Sequence, residues 1–169
     1  MIAPRVIRAT TQMTIRQLLM ELCQADLRCL DAHAHLGNLE PRSAGKIMPI
    51  NNFIVATAPM SPDAQEEIIR HNYAVADSKF VVNYFRFSDD HRLLFGGTES
   101  YGYTFPRDIA GNVRKPLAEI FPQLADVQID HAWGGTLAIT MSRLPYLRRL
   151  GPSVVSAGGY SGSGVAMAT

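Results

Sequence analysis

Two stretches of this 169-residue chain hold residues whose type and spacing could do chemistry. One is the last, Ser153-Val154-Val155-Ser156-Ala157-Gly158-Gly159-Tyr160-Ser161-Gly162-Ser163-Gly164-Val165-Ala166-Met167-Ala168-Thr169. A β-branched run, then closely spaced glycines and serines, then a small-residue apolar segment describe a strand turning through a loop into a helix. Glycines there let the backbone approach a ligand, and the first helical turn offers unpaired N–H groups and a positive dipole end. A phosphate, a carboxylate or a polarised ring carbonyl would suit such a place; a tight strand-to-helix turn with no ligand has the same pattern. Barely two turns of that helix precede Thr169, and an isolated helix so short is marginal in water, so the C-terminus is expected to be cut rather than finished. The other stretch is Leu27-Arg28-Cys29-Leu30-Asp31-Ala32-His33-Ala34-His35-Leu36. Alternate residues of a strand point the same way, so Asp31, His33 and His35 could share one zinc-like ion. A solvated strand end is the competing reading.

The Asp-x-His-x-His run resembles the first-strand signature of the amidohydrolase metal enzymes. That family needs a barrel of about 250 residues, whereas roughly 130 follow His35 in this chain. His71, His91 and His131 have no matching spacing. A metal-dependent hydrolase is therefore the last of the readings carried forward.

The elements that must position these stretches can be sketched in order. Ile15, Leu18, Leu19 and Leu22 fall at helical spacing, predicting an amphipathic helix from Thr14 to about Gln24. Arg5, Arg8 and Arg16 with no acid before Glu21 also suit a transit peptide. Ile47 to Ala58 reads as a strand, with Pro49 at its start or on an edge. Ser61 is placed to cap a helix over Pro62–Arg70. A brief strand at Ala74–Val75 precedes strands over Phe80–Arg86 and Arg92–Gly97, an antiparallel pair turned by Asp89-Asp90-His91. Asp108 to Glu119 reads as a helix, which Pro116 is expected to break near Arg114, with a second short helix starting at the proline. Val127 to Thr140 reads as a strand interrupted at Trp133-Gly134-Gly135, where glycines suggest a bulge or a close approach by a ligand. Arg143, Arg148 and Arg149 read as solvated loop charges. The pattern is an α+β domain: a mixed, largely antiparallel sheet with a few flanking helices, ending in strand, Gly-rich loop and helix start.

Composition narrows the function classes. A hydrophobic share of 47% against 18% charged residues is that of a globular chain with material for a core. A net charge of +1 gives no electrostatic reason to expect nucleic acid or an anionic membrane as partner. No apolar run approaches the roughly 20 residues of a membrane span. Cys23 and Cys29 make neither a disulfide framework nor a zinc site, so a reducing, cytoplasmic setting is expected.

Taken in order, four blocks resemble the C-terminal half of the FAD-dependent oxidoreductases of the D-amino-acid oxidase superfamily, with the gamma-glutamylputrescine oxidase type as the subgroup. They are Lys46-Ile47-Met48-Pro49-Ile50; Tyr84-Phe85-Arg86 with Arg92-Leu93-Leu94-Phe95-Gly96-Gly97; Phe121-Pro122-Gln123-Leu124 with Trp133-Gly134-Gly135-Thr136; and Gly158 to Gly164. The resemblance runs from about Ala25 to the end, and residues 1–24 match nothing in it. It implies that Gly159, Tyr160, Ser161, Gly162, Ser163 and Gly164 contact the flavin, their backbone N–H groups favouring negative charge on the reduced ring. Ser163 stands where the family commonly has His. Gly134 and Gly135 fall where the sheet approaches the flavin. No Cys stands near them for covalent attachment, so FAD is expected to be noncovalent. Tyr84 and Arg86 fall on the strand lining the substrate cavity, where Arg86 could pair a carboxylate bidentately.

The implied reaction is oxidation of a C–N bond of a small-molecule amine or amino acid, by hydride transfer to flavin with oxygen as acceptor, as in polyamine catabolism. The family's opening G-x-G-x-x-G turn for the ADP half of FAD is absent from this sequence. The expectation is thus a truncated oxidoreductase, residues 25–169 supplying the substrate domain and flavin-contacting end, inactive alone. A binding module that dimerises through the sheet face left open is the alternative.

Overall fold

The computed structural model describes residues 28–32, 41–43, 45–102, 104–152 and 154–168. Among them are strands β1 (Arg28–Ala32), β2 (Ile47–Thr57), β3 (Val75–Ala76), β4 (Tyr84–Phe87), β5 (Leu93–Tyr101), β6 (Ile129–Thr140), β7 (Tyr146–Gly151) and β8 (Val154–Gly158). The helices are α1 (Pro62–Ile68), α2 (Ile109–Ile120) and α3 (Gly164–Ala168). The expected helix over Thr14–Gln24, and His33 and His35, lie outside the described residues. The chain divides into two compact units: residues 1–48 with 137–169, and residues 49–136.

The unit of residues 49–136 is built on a sheet of order β3-β4-β5-β2-β6. β3, β4, β5 and β2 pair antiparallel in succession. β6 joins β2 antiparallel as well. Ala58 bonds to Gln128 at one end, and the Asn51 side chain meets Thr136 at the other, so the contacts run in opposite senses. One face carries Phe53, Val55, Phe87, Leu93 and Phe95, packed with Val113, Leu117 and Phe121 into the core. Phe85 stacks on Phe95 at 5.7 Å and meets Phe121 edge-on at 5.0 Å. Each such buried aromatic contributes about 2 kcal/mol of burial free energy.

Local sequence accounts for the helix starts. The Ser61 hydroxyl accepts the Ala64 N–H ahead of Pro62, and the Asp108 carboxylate accepts the Gly111 N–H. Contrary to expectation, Pro116 does not break the second helix: α2 is continuous from Ile109 to Ile120. Its fully buried Val113 and Leu117 anchor both sides of the proline. Arg114 Nη1 donates to the carbonyls of Ala125 and Val127, both at 2.8 Å, tying the helix to the segment before β6. Packing therefore overrides a local penalty of about 3 kcal/mol.

The strand expected over Phe80–Arg86 is shorter, starting only at Tyr84. The Asp77 carboxylate explains it by accepting the N–H groups of Lys79 and Asn83 and the Asn83 side-chain amide. Those bonds wrap residues 77–83 into a loop and leave Phe80 exposed. The turn at Asp89-Asp90-His91 is as expected, with His91 in the left-handed region at φ 60°.

The unit of residues 1–48 and 137–169 holds a sheet of order β1-β8-β7, β1 parallel and β7 antiparallel to β8. Arg148 and Arg149 are on strand β7 rather than in a loop, although both remain exposed. The β7–β8 pairing places them opposite Ser156 and Val155. The Arg42 guanidinium donates to the Leu150 carbonyl within this unit.

Candidate functional site

The Gly-rich loop belongs to the unit of residues 1–48 and 137–169. β8 ends at Gly158, and the chain turns through Gly159 at φ 66°, Ser161 at 53° and Gly162 at 89°. At Gly159 space and conformation both require glycine: a Cβ would lie 2.7 Å from Thr140 Cγ2 and 3.2 Å from Tyr146 Cβ. Ser161 fastens the loop. Its N–H donates to the Ala138 carbonyl at 3.0 Å, and its hydroxyl accepts the Thr140 N–H at 3.2 Å. Ser163 is the N-cap of α3, because its carbonyl accepts the Met167 N–H and its own N–H is taken by Tyr160. Gly159 and Tyr160 are buried, whereas Gly162 and Ser163 are exposed and Gly164 half-exposed. The part of the loop that a ligand can reach is thus Gly162 to Gly164; the Ser163 N–H is already given to Tyr160, whereas Gly164, at the first helical position, has an N–H that helix geometry leaves without an intrahelical partner.

The second set of residues lies on the sheet of the other unit. Tyr84 and Arg86 alternate with the core residues Phe85 and Phe87, so they share the opposite face of β4. Gly96 is the register partner of Tyr84, and the phenol lies across it: a Cβ there would be 2.1 Å from the ring. The Tyr84 hydroxyl donates to Asn52 Oδ1 at 2.5 Å, and Asn52 Nδ2 donates to the Thr98 carbonyl at 3.0 Å. Burial pushes the Tyr84 phenol up from its usual value of 10.0. Thr98 is the extra residue of a bulge in β5, where Asn52 faces Glu99 and Phe53 faces Gly97. It is β-branched yet sits at φ 63°, and its buried hydroxyl has no partner among the described residues. Such a conformation costs about 1–3 kcal/mol. Arg86 is exposed, its Nε donating to the Phe87 carbonyl at 3.2 Å.

β6 is continuous through Trp133-Gly134-Gly135 rather than interrupted. Gly134 is required by packing on the core side, where a Cβ would be 2.5 Å from the Phe53 ring and 3.0 Å from the Asn52 carbonyl. Gly135 points the other way, with nothing among the described residues within 4 Å of a Cβ there, and Trp133 beside it is 44% exposed. The buried Asn51 has no counterpart in the sequence reading. It accepts from Thr136 at 2.8 Å and donates to Ser100 and to the Gly102 carbonyl, both at 3.1 Å. Two adjacent asparagines inside an apolar strand were the available signal for the Asn51 and Asn52 network. No cluster of three or more potential metal ligands occurs among the described residues; nothing is described of the Asp31 side chain.

A family model described as DAO, FAD dependent oxidoreductase, matches residues 28–169. The chain belongs to this family. Among relatives of this DAO-family chain, a probable oxidoreductase OrdL of Rhizobium meliloti (strain 1021) is 49% identical over 144 residues, which make up 85% of this chain and 33% of that protein. A gamma-glutamylputrescine oxidoreductase of Escherichia coli (strain K12) is 38% identical over 134 residues, 79% of this chain and 32% of that protein. The chain therefore spans about a third of the length of these relatives. L-proline dehydrogenase from P.horikoshii matches in structure with a TM-score of 0.62 at 24% identity, over 81% of this chain and 38% of that one. At that identity the likeness speaks for the fold, and the fold is the α+β sheet expected from sequence. FAD is the cofactor of the family, and no helix among the described residues is long and apolar enough to cross a membrane.

Proposed function

We propose that the chain supplies the substrate domain and the flavin-contacting end of an FAD-dependent amine oxidoreductase, over about residues 25–169. The observation that carries this is the left-handed loop of Gly159 to Gly162, which buries its own start and leaves Gly162, Ser163 and Gly164 accessible at a helix start. That donor set fits the anionic edge of a reduced flavin ring, with Gly159 and Tyr160 shaping the loop from inside. The chemistry that bound FAD would supply is redox: acceptance of a hydride from the carbon bearing the amine, with oxygen as the final acceptor. The chain's part is electrostatic and positional: Gly162 and Gly164 would offer fixed N–H dipoles that need no reorganisation as charge develops, while the Ser163 N–H, bound to the Tyr160 carbonyl, holds the turn. Gly135 would give a ring unobstructed access to the sheet, and Gly134 keeps the strand close to β2. Tyr84 would line the substrate, and Arg86 on the same face of β4 would be the candidate to pair a substrate carboxylate.

The substrate class is a small amine or amino acid. The gamma-glutamylputrescine oxidoreductase relative favours a polyamine derivative. Because this sequence has no G-x-G-x-x-G turn to hold the ADP half of the cofactor, the 169 residues by themselves are expected to hold FAD weakly and to release no peroxide from such substrates. The test is the visible spectrum of the purified chain with FAD, followed during dilution, beside a Gly162→Pro variant. A bound-flavin spectrum that the variant loses supports the loop's role. A spectrum identical to free FAD at every protein concentration would overturn the assignment. Light scattering on the same sample tests the dimer reading, which the exposed Trp133 and open Gly135 favour.

A further inference from the structure

The bonds around Tyr84 have a direction that can be read without seeing hydrogens. The Thr98 carbonyl can only accept, so the Asn52 atom facing it at 3.0 Å is the amide nitrogen. The amide oxygen then faces Tyr84 and can only accept, so the phenol must donate its single proton across the 2.5 Å contact. The orientation is held at its far end by Thr98, whose left-handed backbone turns the carbonyl towards Asn52. A strained residue retained beside a functional face is the kind of outlier from which a role can be argued.

We propose that Asn52 is a positioning residue that commits the Tyr84 proton to its own amide oxygen, leaving the phenol oxygen as a pure hydrogen-bond acceptor for an N–H-bearing ligand. A carboxylate would need that proton and could bind only by breaking the bond to Asn52. An amine or ammonium group brings its own N–H and breaks nothing. Tyr84 on this account selects the nitrogen end of the substrate and Asn52 makes it selective. The inference rests on the reading that Tyr84 lines the substrate, and it adds which end of the substrate the tyrosine holds.

The test uses the full chain with tyrosine labelled with carbon-13 at Cζ, the Tyr84 signal being assigned by its loss in Tyr84→Phe. Removing the acceptor with Asn52→Ala should lower the pH at which Tyr84 ionises, since the neutral phenol loses its bond. The isosteric Asn52→Asp should raise it above the unmodified protein, because a carboxylate both accepts the proton and repels phenolate. Arg86 on β4, Glu99 and Tyr101 on β5 (the Tyr101 hydroxyl donating to the Glu99 carboxylate at 2.6 Å), and Asp130 and His131 on β6 are the other charged or titratable groups on the packed strands. The Asn52 substitutions leave them in place. On the unmodified chain without flavin, n-butylammonium should move the Tyr84 signal at roughly tenfold lower concentration than butyrate, the discrimination expected of one hydrogen bond. Ionisation unchanged in both variants, butyrate moving the signal at equal or lower concentration, or neither ion moving it, would each overturn the assignment. The two-ion comparison needs no substitution, so a variant that fails to fold leaves it decisive. Because no readout involves flavin, failure of FAD binding and failure of this assignment are separate results.

Discussion

Gly159 and Thr98 are opposite cases of the same backbone conformation. Gly159 occupies the left-handed region at φ 66° where no side chain fits, and Thr98 occupies it at φ 63° despite its branched side chain. Gly159→Ala should therefore destabilise the fold by about 2 kcal/mol, from left-handed strain and the collision with Thr140. Thr98→Gly should stabilise it by about 1 kcal/mol, because relief of strain and of an orphaned hydroxyl exceeds the entropy that glycine loses. Urea unfolding of the two variants checks both signs. A Thr98→Gly protein that unfolds earlier than the parent would mean that the threonine is not strained. The glycines of the loop are legible in sequence because a left-handed turn leaves few other choices. Thr98 is not legible, since nothing in Thr98-Glu99-Ser100 reports a bulge that the pairing of β5 with β2 imposes.

Helix α2 shows how far an element's local signals can be overruled. Pro116 cannot donate to the Asn112 carbonyl, yet the helix runs on, held by Val113 and Leu117 in the core and by the two bonds of Arg114 to the following segment. The free helix would break there; the packed one does not. Pro116→Ala should then raise stability by about 1–2 kcal/mol by restoring the missing bond. Thermal unfolding measures it, and an unchanged midpoint would show that the helix is already interrupted at residue 116. Strand β4 errs the other way. Phe80, Val81 and Val82 have strand-forming side chains, but the Asp77 carboxylate takes the N–H groups of Lys79 and Asn83 on either side of them and closes a loop. The side chain that takes these N–H groups stands before the strand pattern begins, and no window over Phe80–Arg86 contains it.

Across the molecule, carboxylates held by hydrogen bonds make stability depend on acid. Asp90 is lowered below its usual 3.8 by the Ser88 hydroxyl and then by Arg92, and Asp130 is lowered by Arg92 and then by Gln128. At Asp77 partial burial pulls upward, but the bonds from Asn83 and Lys79 outweigh it, and the net direction is down. Groups depressed in the folded state add stability that is present above the unfolded value and lost as pH falls through the folded one. Stability should therefore hold from neutral pH down to about 4 and decline below 3.8. Melting points measured from about pH 6 to pH 2.5 would show it. A flat profile below pH 4 would mean that Asp77, Asp90 and Asp130 are as free folded as unfolded. The effect is a sum of small, salt-screened terms, because Arg92 and its partners lie near the surface.

What the sequence determined by itself was local or ordered along the chain. The strand, Gly-rich loop and helix start from Val154 to Ala168, the capped helix after Ser61, the hairpin around Asp90 and the family are all carried by neighbouring residues or by blocks in a set order. Only the tertiary structure decided which glycines serve packing and which leave space open. Gly134 lies under Phe53 and Gly135 meets no described residue within 4 Å, although they are neighbours in one strand, because alternate residues point to opposite faces. It also decided that Gly162 to Gly164, and not Gly159 and Tyr160, form the accessible part of the loop. The chain of Tyr84, Asn52 and Thr98 joins three strands across 46 positions, between residues 52 and 98. Hydrogen bonds of that kind are set by strand register, and register follows from burying one face of a sheet against a core.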